Sequence, residues 1–175
     1  MKKNSKRLLC MLFAAVSTLS VSMTSLAATS SGKYPTRQGA ILVTSDAYKG
    51  LIPTGHAAIV FSKTSVVESL SDGVTIGKNN WKQTKNKFYG VSVTKTSAKD
   101  DCKAARWCYK QKGKSYNYNF LNVKTRKKFY CSQLIYAAFL DNFNIDLNTS
   151  LFGAAIHPME IVDSPQTIVS YTYSK

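Results

Sequence analysis

The chain has 175 residues, a length that suits one domain and can bury a core without disulfide bonds. Hydrophobic residues make up 44% of the sequence, which excludes a wholly disordered chain. The net charge of +15 favours anionic partners, but the basic residues are scattered and form neither a zinc finger nor a basic helix with heptads. We therefore expect no specific nucleic-acid recognition.

Residues 1–27 have the features of a secretory signal peptide. A basic start without acids precedes the apolar to small-residue stretch 8–23, and Ser25-Leu26-Ala27 is a small-x-small pattern for cleavage after Ala27. The apolar stretch is short and Ser-rich for a membrane anchor, although an uncleaved anchor is the alternative. Cleavage lowers the net charge from +15 to +11. We expect a secreted protein that associates with the cell wall.

Residues 28–38 are small and polar, and we expect a flexible linker there, followed by a single domain at 39–175. Short apolar runs predict strands at 40–44, 56–61, 65–70, 74–76, 88–94 and 168–173. Helices are predicted at 97–112, with Ser97 as the cap, and at 130–142, with a helical turn at 158–162. Residues 115–122 predict an aromatic loop. The pattern indicates an α+β fold, an antiparallel sheet with helices on one side.

Three cysteines remain after the predicted cleavage, and an odd number outside the cell leaves at least one unpaired. Cys102 and Cys108 are six residues apart in the first predicted helix. That spacing separates them by about 9 Å along the axis and on different faces, which is too far for a disulfide. We expect all three cysteines to be thiols, with Cys102 and Cys108 as core or surface residues of the helix.

Cys131 lies at the predicted start of the second helix. The positive end of a helix dipole lowers the pKa of a thiol, and the free N–H groups there can stabilise an oxyanion. The same cysteine also fits an apolar stripe with Leu134, Ile135, Ala138 and Phe139. Periodicity therefore leaves two interpretations open, a nucleophile and a small core residue.

A catalytic cysteine needs a base and a group that orients the base. The chain has two histidines, His56 and His157. His56 begins a predicted strand after Gly55, and a hairpin with the next strand would bring Glu68 to its imidazole. The alternatives are a strand-edge histidine and a solvent-facing glutamate. His157 is interpreted as a surface residue before a proline turn, with a pocket-lining role as the alternative.

The segments TGHAAIV (54–60), VVESLSDGV (66–74) and FYCSQLIY (129–136) together resemble the permuted NlpC-type papain-like hydrolases, the group that contains YiiX-like proteins. In that group a strand histidine comes first, an acidic or polar residue follows, and the cysteine comes last. The segments GAILVTSD, YNYNFL and HPMEIVDSP extend the likeness over residues 39–165. Two departures are Ala40, where many relatives have an acid, and His157, where relatives often have a small polar residue.

The resemblance implies a papain-like core with Cys131 as nucleophile, His56 as base and Glu68 as the orienting group. It also implies cleavage or transfer at amide, thioester or ester bonds through an acyl-enzyme. Tyr116 and Tyr118 are candidates to help the N–H of Cys131 stabilise the oxyanion. This chemistry requires no metal and no cofactor.

We expect an exported, monomeric cysteine hydrolase that cleaves amide bonds in cell-wall peptides. One alternative is a lipid- or acyl-binding protein on the same scaffold, docked to an anionic wall or membrane surface. Another is an acyltransferase that uses the same triad on an acylated small molecule or lipid.

Overall fold

The computed structural model describes residues 28–47 and 55–175. The predicted signal peptide at 1–27 and the turn-rich residues 48–54 lie outside the described residues, so cleavage and export stay predictions. Within the described ranges, no helix has both the length and the apolar character needed to cross a membrane.

Seven strands form one sheet in the described part of the chain. They are β1 (Thr29–Ser31), β2 (Ile41–Thr44), β3 (His56–Val60), β4 (Ser65–Leu70), β5 (Gly73–Lys78), β6 (Lys87–Val93) and β7 (Thr167–Ser174). Their order across the sheet is β1-β7-β6-β2-β3-β4-β5, and every neighbouring pair is antiparallel. The predicted antiparallel sheet is confirmed, and β2 to β5 are consecutive neighbours, as short connections favour.

Four helices accompany the sheet in the described residues. They are α1 (Trp81–Thr84), α2 (Ala98–Lys110), α3 (Cys131–Phe143) and α4 (Pro158–Asp163). Ser97 caps α2 as predicted: its hydroxyl accepts the N–H of Asp100 (3.3 Å), and the Asp100 carboxylate accepts the N–H of Ser97 (3.0 Å). The short helix α1 was not predicted, because its single turn carries no helical periodicity.

The two faces of the sheet bury different sets of side chains. One face packs against α2 and α3, and among its sheet residues are Ile41, Ala57 and Val67. The opposite face holds a second core built largely from aromatic rings, namely Trp81, Phe88, Tyr171 and Tyr173. Because successive strand residues point to opposite faces and both faces are buried here, residues 41–43 of β2 and 57–60 of β3 are continuously apolar.

Residues 28–38, where we expected a flexible linker, make defined contacts with the domain. Strand β1 pairs with β7. The Tyr34 ring packs edge-on against Phe88 and Tyr171, and the Arg37 guanidinium is paired with the buried carboxylate of Asp101 at 2.5 Å. The composition could not indicate these contacts, because every partner lies more than fifty residues away in the sequence.

We predict that Tyr34→Ala lowers the free energy of unfolding by about 2 kcal/mol, because it removes a half-buried ring and two hydrogen bonds of the hydroxyl. Denaturant unfolding measures the loss. The matched control is Lys33→Ala at the neighbouring exposed position, for which we expect a change within about 0.5 kcal/mol. Equal stability of the two variants would support the linker interpretation instead.

Candidate active site

Cys131 is the first residue of α3, at the end of the helix that faces β3. The preceding residue, Tyr130, is the N-cap, so the N–H of Cys131 has no acceptor within the helix. The cysteine is 8% exposed, and the helix behind it is buried through Phe139. The predicted position of the cysteine at a helix start is therefore correct, and the apolar stripe predicted for the same helix is also present.

The surroundings of the Cys131 thiol favour its thiolate form. Burial by itself raises the pKa of the thiol, but a hydrogen bond to His56 and the positive charge of that imidazole lower it. The backbone N–H groups of Ala57 and Ser132 also hydrogen-bond the sulfur and lower the pKa. The net result is a thiol pKa below the ordinary value.

His56 is the first residue of β3, and Glu68 lies on the neighbouring strand β4. Ala58 is the register partner of Glu68, so His56 is its diagonal neighbour on the same face of the sheet. The Nε2 atom of His56 lies 2.6 Å from the Oε2 atom of Glu68, and the two side chains are 14% and 13% exposed. The predicted hairpin therefore brings the carboxylate to the imidazole.

Gly55 directly precedes His56 and has a φ of +64°, a left-handed conformation that glycine adopts without strain. A Cβ atom at this position would also overlap the carbonyl oxygen of Thr44. Thr44 is the register partner of His56. The glycine thus allows the chain to enter β3 close against β2, which sets the start of the strand at the histidine.

The imidazole of His56 is held between two acidic partners. Burial lowers the pKa of His56, but the hydrogen bonds to Cys131 and Glu68 and the negative charges of both raise it, to about 9. Since Nε2 is bonded to Glu68, we infer that Nδ1 is the nitrogen that faces the thiol. The two partners therefore favour the protonated imidazole, and the imidazolium in turn favours the thiolate form of Cys131.

Trp81 is a site residue that the sequence analysis missed. Its ring stacks on the His56 imidazole with a centroid distance of 5.8 Å and an interplanar angle of 27°, and it is 3% exposed. The backbone N–H of Trp81 donates to the Tyr34 hydroxyl at 3.1 Å. An indole face attracts a cation and excludes water, so this contact favours the imidazolium. Apart from the rarity of tryptophan, no pattern in the sequence indicated this role.

Gln133 is a second missed residue, and it ties the loop before α3 to the helix start. Its Oε1 atom accepts from the Tyr130 N–H (3.2 Å) and from the Asn117 side chain (2.9 Å). Its Nε2 atom donates to the carbonyl of Asn122 at 3.1 Å. A glutamine at the third helical position is typical of a capping box, which is the signal that could have indicated it.

Tyr116 and Tyr118, the predicted oxyanion residues, lie in this loop with their rings 4.9 Å apart. The Tyr118 hydroxyl donates to the Ser71 carbonyl (3.4 Å), and the side chain is 69% exposed. Their rings belong to an aromatic group that continues through Phe120 to Tyr130. A role of either tyrosine in oxyanion stabilisation stays a prediction.

His157 is the N-cap of α4. Its Nδ1 atom accepts the backbone N–H of Met159 at 3.2 Å, and the backbone N–H of His157 donates to the Glu160 carboxylate at 2.8 Å. The ring stacks on Phe152 with a centroid distance of 4.6 Å. These contacts give His157 a structural role at the start of α4.

The other two described cysteines are free thiols, as expected. Cys108 is fully buried, and its sulfur lies 3.7 Å from the carbonyl of Leu134. Burial strongly raises the pKa of the Cys108 thiol. Cys102 is partly exposed on the same helix. Neither cysteine has the helix-terminal position or the histidine partner of Cys131.

Comparison with known proteins agrees with this geometry. A family model described as "Permuted papain-like amidase enzyme, YaeF/YiiX, C92 family" matches residues 38–168. The chain is also similar to the crystal structure of metalloprotein yiiX from Escherichia coli O157:H7, with a TM-score of 0.59 and 16% identity. That similarity covers 77% of this chain and 96% of the other. No curated protein matches the sequence.

The fold and the matched family define the class of protein as a papain-like cysteine hydrolase. The chain belongs to the C92 family of permuted papain-like amidases. The resemblance inferred from the three sequence segments and the predicted fold class are thereby confirmed. The similarity to yiiX, at 16% identity, concerns the fold alone.

The yiiX protein is described as a metalloprotein. In residues 28–47 and 55–175 of the present chain, no three side chains of His, Cys, Asp or Glu are grouped so that they could hold a metal ion.

We predict that iodoacetamide alkylates Cys131 at pH values well below the ordinary range of a thiol, because the imidazolium of His56 holds the sulfur as thiolate. Mass spectrometry of the labelled peptides, from about pH 5 to pH 9, measures the rate at each cysteine separately. Cys108 should remain unlabelled in the folded protein.

The matched control is His56→Ala, which should lower the rate at Cys131 roughly tenfold or more at pH 6, because the cationic partner is lost. If labelling of Cys131 in the wild type begins only near the pH of an ordinary thiol, the ion pair does not exist.

Proposed function

We propose that Cys131, His56 and Glu68 are the catalytic triad of an exported cysteine amidase that cleaves peptides of the cell wall. The single observation that supports the triad is the position of the His56 imidazole, hydrogen-bonded to the Cys131 thiol and, at 2.6 Å, to the Glu68 carboxylate. A nucleophile, a base and an orienting acid in this order of contact are what acyl transfer through a thioester requires.

In the first half of the proposed reaction, the Cys131 thiolate attacks the carbonyl carbon of the scissile amide. A C–S bond forms and the carbonyl oxygen becomes an oxyanion, which the N–H of Cys131 stabilises at the positive end of α3. The tetrahedral intermediate collapses as the C–N bond breaks, and the His56 imidazolium gives its proton to the leaving amine. The product is a thioester of Cys131 with a neutral imidazole beside it.

In the second half, water attacks the thioester while His56 accepts one of its protons. The C–S bond breaks, the acid is released, and the thiolate–imidazolium pair returns. Glu68 holds the imidazole at Nε2 throughout and stabilises its positive charge, which is the role of the acid in a triad. Trp81 covers the ring from one side and limits the access of water to that hydrogen bond.

The proposal of a cell-wall substrate draws on the sequence. The chain carries an expected secretory signal and retains a net charge of +11 after its removal. A cationic exported protein accumulates at anionic wall polymers, where peptides with amide bonds are at hand. The description of the family as amidases agrees with the type of bond.

An acylated small molecule or lipid is the second candidate substrate, cleaved or used in acyl transfer. Two loops meet at the Tyr130 hydroxyl, which donates to the Phe120 carbonyl (3.2 Å) and accepts the Ile156 N–H (2.9 Å). Both loops carry exposed apolar side chains, which are from 46% to 72% exposed: Tyr118, Phe120, Leu121, Leu151 and Phe152. Apolar side chains so placed favour an acyl chain.

We predict that Cys131→Ala shows no turnover and that His56→Ala loses at least about 100-fold, while both variants stay folded. The assay incubates the protein with purified cell-wall peptides and, in parallel, with acylated lipids, and mass spectrometry identifies the products. Cys102→Ala, on α2 and remote from the triad, is the matched control and should keep wild-type turnover. Full activity of Cys131→Ala on any cleaved substrate contradicts the mechanism.

We predict that turnover falls as the pH rises through about 9. The pKa of His56 is raised to about 9 in the folded protein, so the imidazolium that protonates the leaving group is present below this pH and is lost above it. Stability should change in the same direction. The attraction of the imidazolium to Glu68 and Cys131 stabilises the fold fully below the pKa of an unfolded histidine, and this contribution is lost as the pH rises through about 9. A pH–rate profile measures the fall, and a rate that keeps rising above pH 9 contradicts it.

A further inference from the structure

Gly77 lies on β5, the edge strand beside Glu68. The register partners of the two strands are Val66 with Gly77 and Glu68 with Thr75, so Gly77 is the diagonal neighbour of Glu68 on the same face. His56 is the diagonal neighbour of Glu68 on the other side, on β3. The glutamate side chain therefore lies between a glycine on one strand and the histidine on the other.

The Glu68 side chain occupies the space that a side chain at position 77 would fill. A Cβ atom built on Gly77 overlaps the Oε1 atom of Glu68 and comes within 2.9 Å of its Cδ atom. The other carboxylate oxygen, Oε2, is the atom that contacts His56 at 2.6 Å. The carboxylate thus lies beside Gly77 of β5 and contacts the imidazole through its other oxygen.

We propose that Gly77 is a positioning residue of the active site, whose missing side chain lets the Glu68 carboxylate rest on β5 and orient His56. The proposal rests on the proposed triad. It assigns to Gly77 no contact with substrate, since the residue acts only through Glu68.

Backbone conformation does not account for this glycine. Its φ is outside the left-handed region that the positive-φ glycines of the described chain occupy. A glycine inside a strand has a higher entropic cost of folding than alanine and packs less surface. The strand alone would therefore favour a residue with a side chain, and the space taken by Glu68 is the physical reason for its absence.

The atom that the added Cβ meets is the end of a flexible side chain. In Gly77→Ala the carboxylate can swing away at little cost to the fold, but it then leaves the position that holds His56. We expect the variant to stay folded, while the imidazolium loses its anionic partner and the part of the stability that this attraction contributes. The charged groups that act on His56 are Cys131 from α3 and Glu68 from β4. Lys85 lies over the Trp81 ring, which stacks on the imidazole, with Nζ 5.4 Å from the ring centroid.

The test is the pH dependence of Cys131 alkylation by iodoacetamide, read peptide by peptide, in a double-mutant cycle of Gly77→Ala and Glu68→Ala. We expect Gly77→Ala to lower the rate of Cys131 alkylation at pH 6 roughly tenfold, because the His56 imidazolium loses its opposite charge and holds the thiolate less well. A tenfold loss corresponds to a shift of the alkylation profile by about one pH unit. In the Glu68→Ala background, Gly77→Ala should cause no further loss, because the atom it displaces is gone. An unchanged profile for Gly77→Ala, or an equal additional loss without Glu68, overturns the proposal.

Gly90→Ala is the matched control. Gly90 is also a strand glycine outside the left-handed region, but a Cβ atom there overlaps Pro35 and comes within 2.9 Å of the Tyr171 Cβ, and not of Glu68. We expect it to lower the melting temperature and to leave the alkylation profile of the folded protein unchanged. A Gly90→Ala profile that shifts like that of Gly77→Ala would assign the effect to general loosening and overturn the proposal.

This readout needs no substrate, so it separates the proposal from the proposed function. If the wild type cleaves neither wall peptides nor lipids but Gly77→Ala shifts the alkylation profile, the positioning role stands and the substrate assignment fails. If turnover is found but Gly77→Ala does not shift the profile, the proposed function stands and the positioning role of Gly77 fails.

Discussion

The hydrogen bond between His56 and Glu68 is the interaction on which the site depends. The two residues are diagonal neighbours across the β3–β4 hairpin, so their distance of 2.6 Å is set by strand register. A slip of one residue would move Glu68 to the opposite face of the sheet and remove it from the imidazole. The short hairpin connection and the buried valines of β4 secure that register. The strand register that packs the sheet therefore also sets the contact between His56 and Glu68.

Burial alone does not decide what a cysteine does in this protein, as Cys131 and Cys108 show. Both are buried, and burial raises the pKa of both thiols. Only Cys131 has a cationic imidazole and two backbone N–H groups against its sulfur, and these reverse the effect of burial. The sulfur of Cys108 lies beside the Leu134 carbonyl, which cannot donate a hydrogen bond to a thiolate. The same low-dielectric surroundings that keep one thiol neutral strengthen the ion pair at the other.

Local patterns in the sequence were sufficient for most elements and for the order of the candidate residues. Apolar runs marked the strands, and Ser97 marked the start of α2, because these signals lie within a few neighbours. Gln133 escaped the sequence analysis although its capping-box position is a local signal, and Gly77 escaped because its role depends on the register of β4 and β5. Trp81 escaped because its role comes from a contact with His56 in a distant segment. Strand β1 escaped for the same reason, since its partner β7 is at the other end of the chain. The positions of Cys131 and His56 needed the joint order of several motifs.

The apolar stripe of α3 and the cysteine at its start serve the same arrangement. A helix buried on nearly all sides can present a reactive atom only at its end, where N–H groups are free and the dipole is positive. Ser69 follows Glu68 on β4, and its hydroxyl donates to the Phe129 carbonyl at 2.6 Å. This hydrogen bond links β4 to the segment that leads into α3. Core packing thereby holds the start of α3 in a defined position relative to the strands that carry His56 and Glu68. The loops at the helix start remain at the surface, where side chains can change without moving Cys131, His56 or Glu68.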